Sequence, residues 1–191
     1  AIVAMALYSR RLLGELRAET GIAYDQLQRG ILHFYTDHRE FAAAAGAAAL
    51  MREFGCARNL VSADECVRLE PALAAARGRL VGGDYTADDE SGDAHRFTQA
   101  LAQRAAERGV DFRYATEVAG IDAAGGRFAA VVANGERIAA DACVAACGSW
   151  TGRLLAPLGV HLPLYPAKGY SATLPLSDDS IAPTVSLTDD G

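Results

Sequence analysis

The chain has 191 residues, 51% hydrophobic, 22% charged and 7% aromatic, which excludes collagenous, disordered and disulfide-rich secreted classes and leaves room for one domain or two small ones. Its 18 basic and 24 acidic side chains give a net charge of −6 without a Lys/Arg stripe, so nucleic acid and anionic membrane are poor partners. About a fifth of the residues are alanine, and the longest apolar run, Phe41 to Met51, is alanines around Gly46, well short of a membrane span.

In chain order, Ile2, Met5, Leu12, Leu13 and Leu16 predict a helix over 1–19 with a basic outer face, closed by Gly21. Gly30 to Thr36 reads as a strand, and Asp37 caps a helix over 38–54 that Gly55 ends. Ser62-Ala63-Asp64-Glu65 is a capping box for a short helix stopped by Pro71. Arg79 to Thr86 is a second strand, in which Gly82-Gly83 signals a bulge or a close backbone approach. Asp93 opens a helix through Arg108, with Phe97, Leu101 and Ala105 on one face.

Val110 to Tyr114 is the next predicted strand. Val118–Ile121, Phe128–Val132 and Arg137–Ala139 follow as a β-meander, with Gly125-Gly126 and the hairpin signal Asn134-Gly135 at its turns. Ala142 to Ala146 is a small, apolar run of the kind found in buried parallel strands, and Ser149 caps a helix to about Leu158. The meander thus lies between two strands of one expected parallel sheet, a crossover without a helix. Four prolines then punctuate extended segments, of which Tyr170 to Leu174 is the strongest strand candidate.

Cys56, Cys66, Cys143 and Cys147 lack C-x-x-C spacing, and His33, His38, His95 and His161 are scattered, so free thiols and no metal site are expected. Among the histidines, His33 alone lies on a strand rich in Phe and Tyr, where it could line a pocket. The acidic stretch Asp84, Asp88, Asp89, Glu90, Asp93 fails the EF-hand register and reads as a solvated loop ending in a helix cap. Neither G-x-G-x-x-G nor a P-loop occurs, and Gly169 to Thr173 lacks the last glycine of a nucleophile elbow. Ala145 to Trp150 leads through small residues toward a helix start, either an ordinary turn or a place where a phosphate could meet backbone N–H groups.

Several stretches together carry a resemblance: Thr20-Gly21-Ile22-Ala23-Tyr24-Asp25-Gln26, Asp89 to Asp93 with Phe97-Thr98, Gly109 to Arg113, Cys147-Gly148-Ser149, and Tyr165-Pro166-Ala167-Lys168-Gly169-Tyr170-Ser171. They resemble the small, flavin-containing subunits of bacterial D-amino acid dehydrogenases, within the FAD-dependent D-amino acid oxidase and glycine oxidase group. The resemblance implies a mixed α/β fold: part of a glutathione-reductase-like, FAD-binding parallel sheet with a β-meander, plus part of an antiparallel-sheet substrate domain with helices. Residues 1–92 and 161–191 then belong to the substrate domain and 93–160 to the middle of the FAD domain. It also implies cofactor contacts at Val118, Ala146, Cys147, Gly148 and Trp150. Tyr170, Lys168 and His33 are the candidates for the substrate cavity, and no catalytic base is nominated.

For the parent, the resemblance implies oxidation of a D-amino acid with electrons passed to a quinone or another respiratory-chain acceptor. It further implies a cytoplasmic enzyme, peripheral on the inner face of the bacterial inner membrane. A glycine- or sarcosine-type oxidase using oxygen is the alternative. The absence of an initiator Met and of the glycine-rich loop makes this chain read as a central piece, which alone would hold FAD poorly and self-associate through exposed sheet edges. A strand followed by G-x-G-x-x-G encoded upstream of Ala1 is the expected result of sequencing the flanking DNA; its absence would overturn the reading.

Overall fold

Capping side chains and close-approach glycines determine where the elements begin and how tightly they stack. The computed structural model describes residues 2–175, 177 and 182–189; Ala1, at the start of the predicted first helix, and Asp190 and Gly191 lie outside them. Two compact units result, one from residues up to Val110 together with those from Pro175 onward, the other from Asp111 to Leu174.

The first unit contains helix α1 (Ile2–Thr20), strand β1 (Ile31–Tyr35), helix α2 (His38–Glu53), strand β2 (Arg58–Ser62), helix α3 (Ala63–Leu69) and strand β3 (Gly82–Thr86). Helix α4 (Ala94–Glu107) also belongs to it. The predicted caps form: Asp37 accepts from the amides of Arg39 and Glu40, Ser62 from Glu65 and Asp93 from Arg96. Gly21, at φ 65°, closes α1 with its amide on the Arg17 carbonyl. Strand β2 was not anticipated, because Arg58-Asn59 gives it no apolar alternation. Pro71 does not simply stop α3 but starts a 3₁₀ segment through Arg79, so β3 begins later than the pattern suggests.

A late strand, β7 (Ser186–Asp189), completes a sheet of order β2-β3-β1-β7, parallel only between β1 and β7. One face buries Leu32 and Val61 with Cys66, Leu73, Leu80 and Val185, with the partly buried Leu187 packed against them, the core against α3 and the 3₁₀ segment. Helix α2 lies over β2 and β3 on the other face and reaches β1. Gly82 and Gly83 let both layers approach β3. A Cβ at Gly82 would come within 2.6 Å of the Phe41 ring from α2, and one at Gly83 within 2.8 Å of Cys66 Sγ from α3. Register with both neighbours is unbroken, so the glycine pair marks a close approach and not a bulge.

Helix α1 is tied to the 88–93 loop by ion pairs. Arg17 meets Glu90 at 2.6 Å, the Tyr24 hydroxyl donates to the same carboxylate at 2.6 Å, and Arg10 meets Asp89 at 3.0 Å. Tyr24 also packs edge-on against Phe97 of α4, over Gly92, where a Cβ would come within 2.5 Å of the ring. Glu90, expected in a solvated loop, is thus mostly enclosed, with 14% of its side chain exposed.

The second unit holds the meander β4 (Val118–Ala124), β5 (Arg127–Ala133) and β6 (Glu136–Ala139), with the Asn134-Gly135 turn at φ 47° and 80°. Here three predicted strands do not form: 110–114, 142–146 and 170–174 pair with nothing among the described residues. Strand pairing needs a neighbour's backbone, and apolar sequence alone supplies none. The predicted helix after Ser149 breaks into a 3₁₀ turn (Gly148–Trp150), helix α5 (Thr151–Leu155) and a second 3₁₀ turn (Ala156–Leu158), and Ser149 caps none of them.

Burial would push the Glu90 carboxyl up, but hydrogen bonds from Arg17, Tyr24 and Gln28 hold it below the ordinary glutamate range. Its stabilising contribution is therefore full above that range and is lost as pH falls through it. Arg17→Met should destabilise the protein by about 2 kcal/mol, a figure reduced for the pair's partial exposure, and flatten this acid limb. Urea denaturation between pH 3 and pH 7, a window set roughly around the carboxylate range, is the measurement.

Candidate functional site

In the first unit, the sheet face opposite the Leu32 core is polar. Because β1 and β3 pair His33 with Asp84, and β1 and β7 pair His33 with Thr188, these three residues occupy one row of that face. Strand alternation adds Tyr35 on β1, Thr86 on β3 and Arg58 on β2 to the same side. Under α2 this face is closed. Asp84 is fully buried, its Oδ2 accepting from the Tyr35 hydroxyl at 2.8 Å and from Arg58 Nη2 at 2.7 Å, while Arg58 Nε donates to Oδ1. Toward β7 the face opens: His33, Ser186 and Thr188 are each half-buried.

Asp84 corrects the reading of the acidic stretch as a solvated loop. It is a core carboxylate on a central strand, and its partner Arg58 drew no notice in the sequence. The signal that could have revealed the pair is an aspartate inside a strand pattern, directly after a glycine pair, which has to be matched by a cation if buried.

In the second unit, Val118 heads β4. It is held there by a reciprocal pair of bonds in which the Asn134 amide donates to the Glu117 carbonyl and the Glu117 amide donates to Asn134 Oδ1. Helix α5 packs on β4, which brings the turn at Ala146, Cys147 and Gly148 into the same unit as Val118. The Cys147 amide donates to Thr151 Oγ1 at 3.1 Å, so Thr151, not Ser149, fastens the turn. Gly148 sits at φ 55°, a left-handed conformation that a β-carbon would strain although open space surrounds it. Trp150 is 65% exposed, and Ala146 and Cys147 are exposed.

Residues 142–146 are small, all but the half-buried Ala145 are exposed, and their backbone groups make no hydrogen bond among the described residues. An elongated ligand with ribose and phosphate oxygens can lie on such a backbone without meeting side chains, so the turn's residues fit a dinucleotide. Helix α5 has only five residues, so its dipole adds little to that fit. Lys168 and Tyr170 meet each other, with Nζ 5.5 Å from the ring centroid, and both are exposed. The ammonium, exposed beside the ring face, can also meet an anionic group. His33 lies in the other unit. All four cysteines are free; Cys56 and Cys66 are buried, and burial pushes the Cys66 thiol up, away from reactivity at neutral pH.

Removing Arg58 would leave Asp84 a buried charge with one neutral donor. Arg58→Met should cost about 3–5 kcal/mol of stability, read by chemical denaturation, whereas exposed Arg137→Met should change it by less than about 1 kcal/mol.

Residues 1–191 match the family described as FAD dependent oxidoreductase, DAO. The chain is 57% identical over 195 residues to the D-amino acid dehydrogenase of Dechloromonas aromatica (strain RCB), an alignment covering 100% of this chain and 47% of that protein. It is 51% identical over 186 residues to the D-amino acid dehydrogenase of Paramagnetospirillum magneticum (strain ATCC 700264 / AMB-1), covering 97% and 44%. It therefore spans about half the length of the curated relatives it matches. Among solved structures, glycine oxidase from Geobacillus kaustophilus superposes with a TM-score of 0.70 at 30% identity, over 82% of this chain and 42% of that one. L-proline dehydrogenase from P. horikoshii superposes at 0.71 with 23% identity, over 83% and 41%, a likeness of fold alone. The mixed α/β architecture expected from the sequence is thus that of flavin oxidoreductases. With the family matched along its whole length, this chain belongs to the FAD-dependent oxidoreductases of the DAO family.

Proposed function

We propose that this chain is the central part of an FAD-dependent D-amino acid dehydrogenase. The observation that carries the reading is the 57% identity, over the entire chain, to a relative bearing that name. A D-amino acid with a neutral amine loses a hydride from Cα and a proton from nitrogen, and water hydrolyses the resulting imine to a 2-oxo acid and ammonia. FAD, when bound, supplies the hydride acceptor and the route by which electrons leave for a quinone of the respiratory chain.

The chain's own residues bind and orient. The turn Ala146-Cys147-Gly148 offers backbone to the ribose and pyrophosphate, Val118 offers its backbone to the adenine end, and Trp150 supports the turn from behind. In the second unit Lys168 serves as the cation for the substrate carboxylate, with Tyr170 fixing the ammonium's position; in the first unit His33 is the substrate-facing residue at the open end of the polar sheet face. Residues 1–92 and 161–191 serve the substrate domain and 93–160 the FAD domain. Catalysis by such a site is positional: it presents Cα to the acceptor and needs no assigned base. The whole enzyme works in the cytoplasm, peripheral on the inner face of the inner membrane, which suits a quinone acceptor. No helix among the described residues is long and apolar enough to cross a membrane.

The likeness to glycine oxidase supports a second reading, an amine oxidase that passes electrons to oxygen. Assaying the complete gene product with D-alanine, using a quinone analogue and then oxygen as acceptor, separates the two. Dehydrogenase activity with the quinone is expected, and brisk peroxide formation would overturn it. Gly148→Val should lower FAD retention at least about tenfold, because it forces the turn out of its left-handed conformation. His33→Ala should raise KM for D-alanine about five-fold with little change in kcat. The isolated 191-residue polypeptide should purify colourless; a stoichiometric flavin absorption band would contradict that, and self-association should show in its sedimentation.

A further inference from the structure

Glu70, at the junction of α3 and the 3₁₀ segment, is 1% exposed. Its Oε1 accepts from the Ala72 amide at 2.9 Å. Its Oε2 accepts from the Thr184 amide at 2.6 Å, the Val185 amide at 2.9 Å and the Thr184 hydroxyl at 3.3 Å. All of these partners are neutral donors. Burial alone would push the carboxyl up, but the amides of Val185, Ala72 and Thr184 and the Thr184 hydroxyl hold it below the ordinary glutamate range, so it accepts as a carboxylate at neutral pH.

What these bonds seize is the lead-in to β7. That strand is short and, among the described residues, lies at the sheet edge and pairs only with β1. A one-residue slip would turn Val185 and Leu187 out of the core, which the apolar pattern forbids. A two-residue slip keeps both on the core side yet carries Thr188 roughly 7 Å along the sheet. A contact to particular amides opposes it, and Glu70 grips two consecutive ones.

We propose that Glu70 is a positioning residue: its grip on Thr184 and Val185 sets the register of β7 and so holds Thr188 beside His33 on the open polar face, where both side chains meet the amino-acid substrate. The proposal rests on the reading of His33 as a substrate-facing residue, and the two can fail separately. Glu70→Gln keeps the shape but turns one acceptor into a donor facing an N–H; Glu70→Ala removes every bond.

The test uses the complete, flavin-loaded gene product. Hydrogen exchange over residues 184–189 should accelerate at least about tenfold in Glu70→Ala while α1 and α4 keep their protection. KM for D-alanine should rise about five- to tenfold with kcat within about twofold, because Thr188 and His33 hold substrate and transition state alike. Thr188→Val should raise KM in the same sense without loosening β7. Should Glu70→Ala not fold, Glu70→Gln carries both measurements with smaller shifts. Unchanged exchange in β7 would overturn the register lock. Loosened exchange with unchanged KM would overturn the positioning role. An unchanged KM in His33→Ala, with Glu70→Ala still raising KM, would instead sink the substrate reading of His33 alone.

Discussion

The interaction on which the first unit depends is the buried carboxylate of Asp84, held by Arg58 on one side and the Tyr35 hydroxyl on the other. It spans three strands, β1, β3 and β2, and it lies on the face that α2 closes. A charge at this depth is tolerable only while its partners remain, so the pair specifies which strands are neighbours as much as it stabilises them. The adjoining glycine pair has the complementary role. Without side chains at Gly82 and Gly83, α2 and α3 can press on β3 from both faces, and the α2 side is the one on which Asp84 is buried. A polar sheet face that is sealed at one end and open at the other follows from these few residues.

That division of the face is what the proposed substrate role of His33 requires. A substrate cavity needs polar groups presented on a rigid support, and strands held by a buried ion pair are more rigid than loops. His33 occupies the boundary between the sealed and open halves, directly across from Asp84 in the strand pairing. Its backbone position is therefore set by the same pairing that buries the carboxylate. The edge strand β7 is the weakly specified side of the sheet, and a second buried carboxylate, Glu70, is found where it joins.

Local chemistry was the most legible part of the sequence. Asp37, Ser62 and Asp93 cap their helices, Gly21 and Gly55 end theirs, and Asn134-Gly135 makes its hairpin, since each effect needs only a few neighbouring residues. Long-range partners were not legible. Nothing near Asp84 or Glu90 in sequence announces Arg58 or Arg17, and nothing near Glu70 announces Thr184, so two of those carboxylates read as solvent-facing and the third drew no notice. Strand β2 was missed for the same reason: its arginine is there to reach across to β3. At the turn through Gly148 the small residues are legible, but Ser149 is not what fastens it; Thr151, two residues later, supplies the acceptor.

The strands that failed to appear follow a different logic. Ala142 to Ala146 and Val110 to Tyr114 have the composition of strands buried in a parallel sheet, yet Val144 is 89% exposed and Tyr114 74%. Apolar side chains held in water are unfavourable, whereas the exposed amides beside them hydrogen-bond to water, so it is the side chains that mark these segments as surface suited to further contacts. The meander between them forms because its partners are consecutive in sequence, so it needs only its own turns. The contrast separates two kinds of strand in one unit. Hairpin strands are complete wherever their turns are complete, whereas parallel strands are defined by neighbours distant in sequence. A periodicity argument reads both from the same apolar pattern, so it predicts the capacity to pair and not the pairing itself.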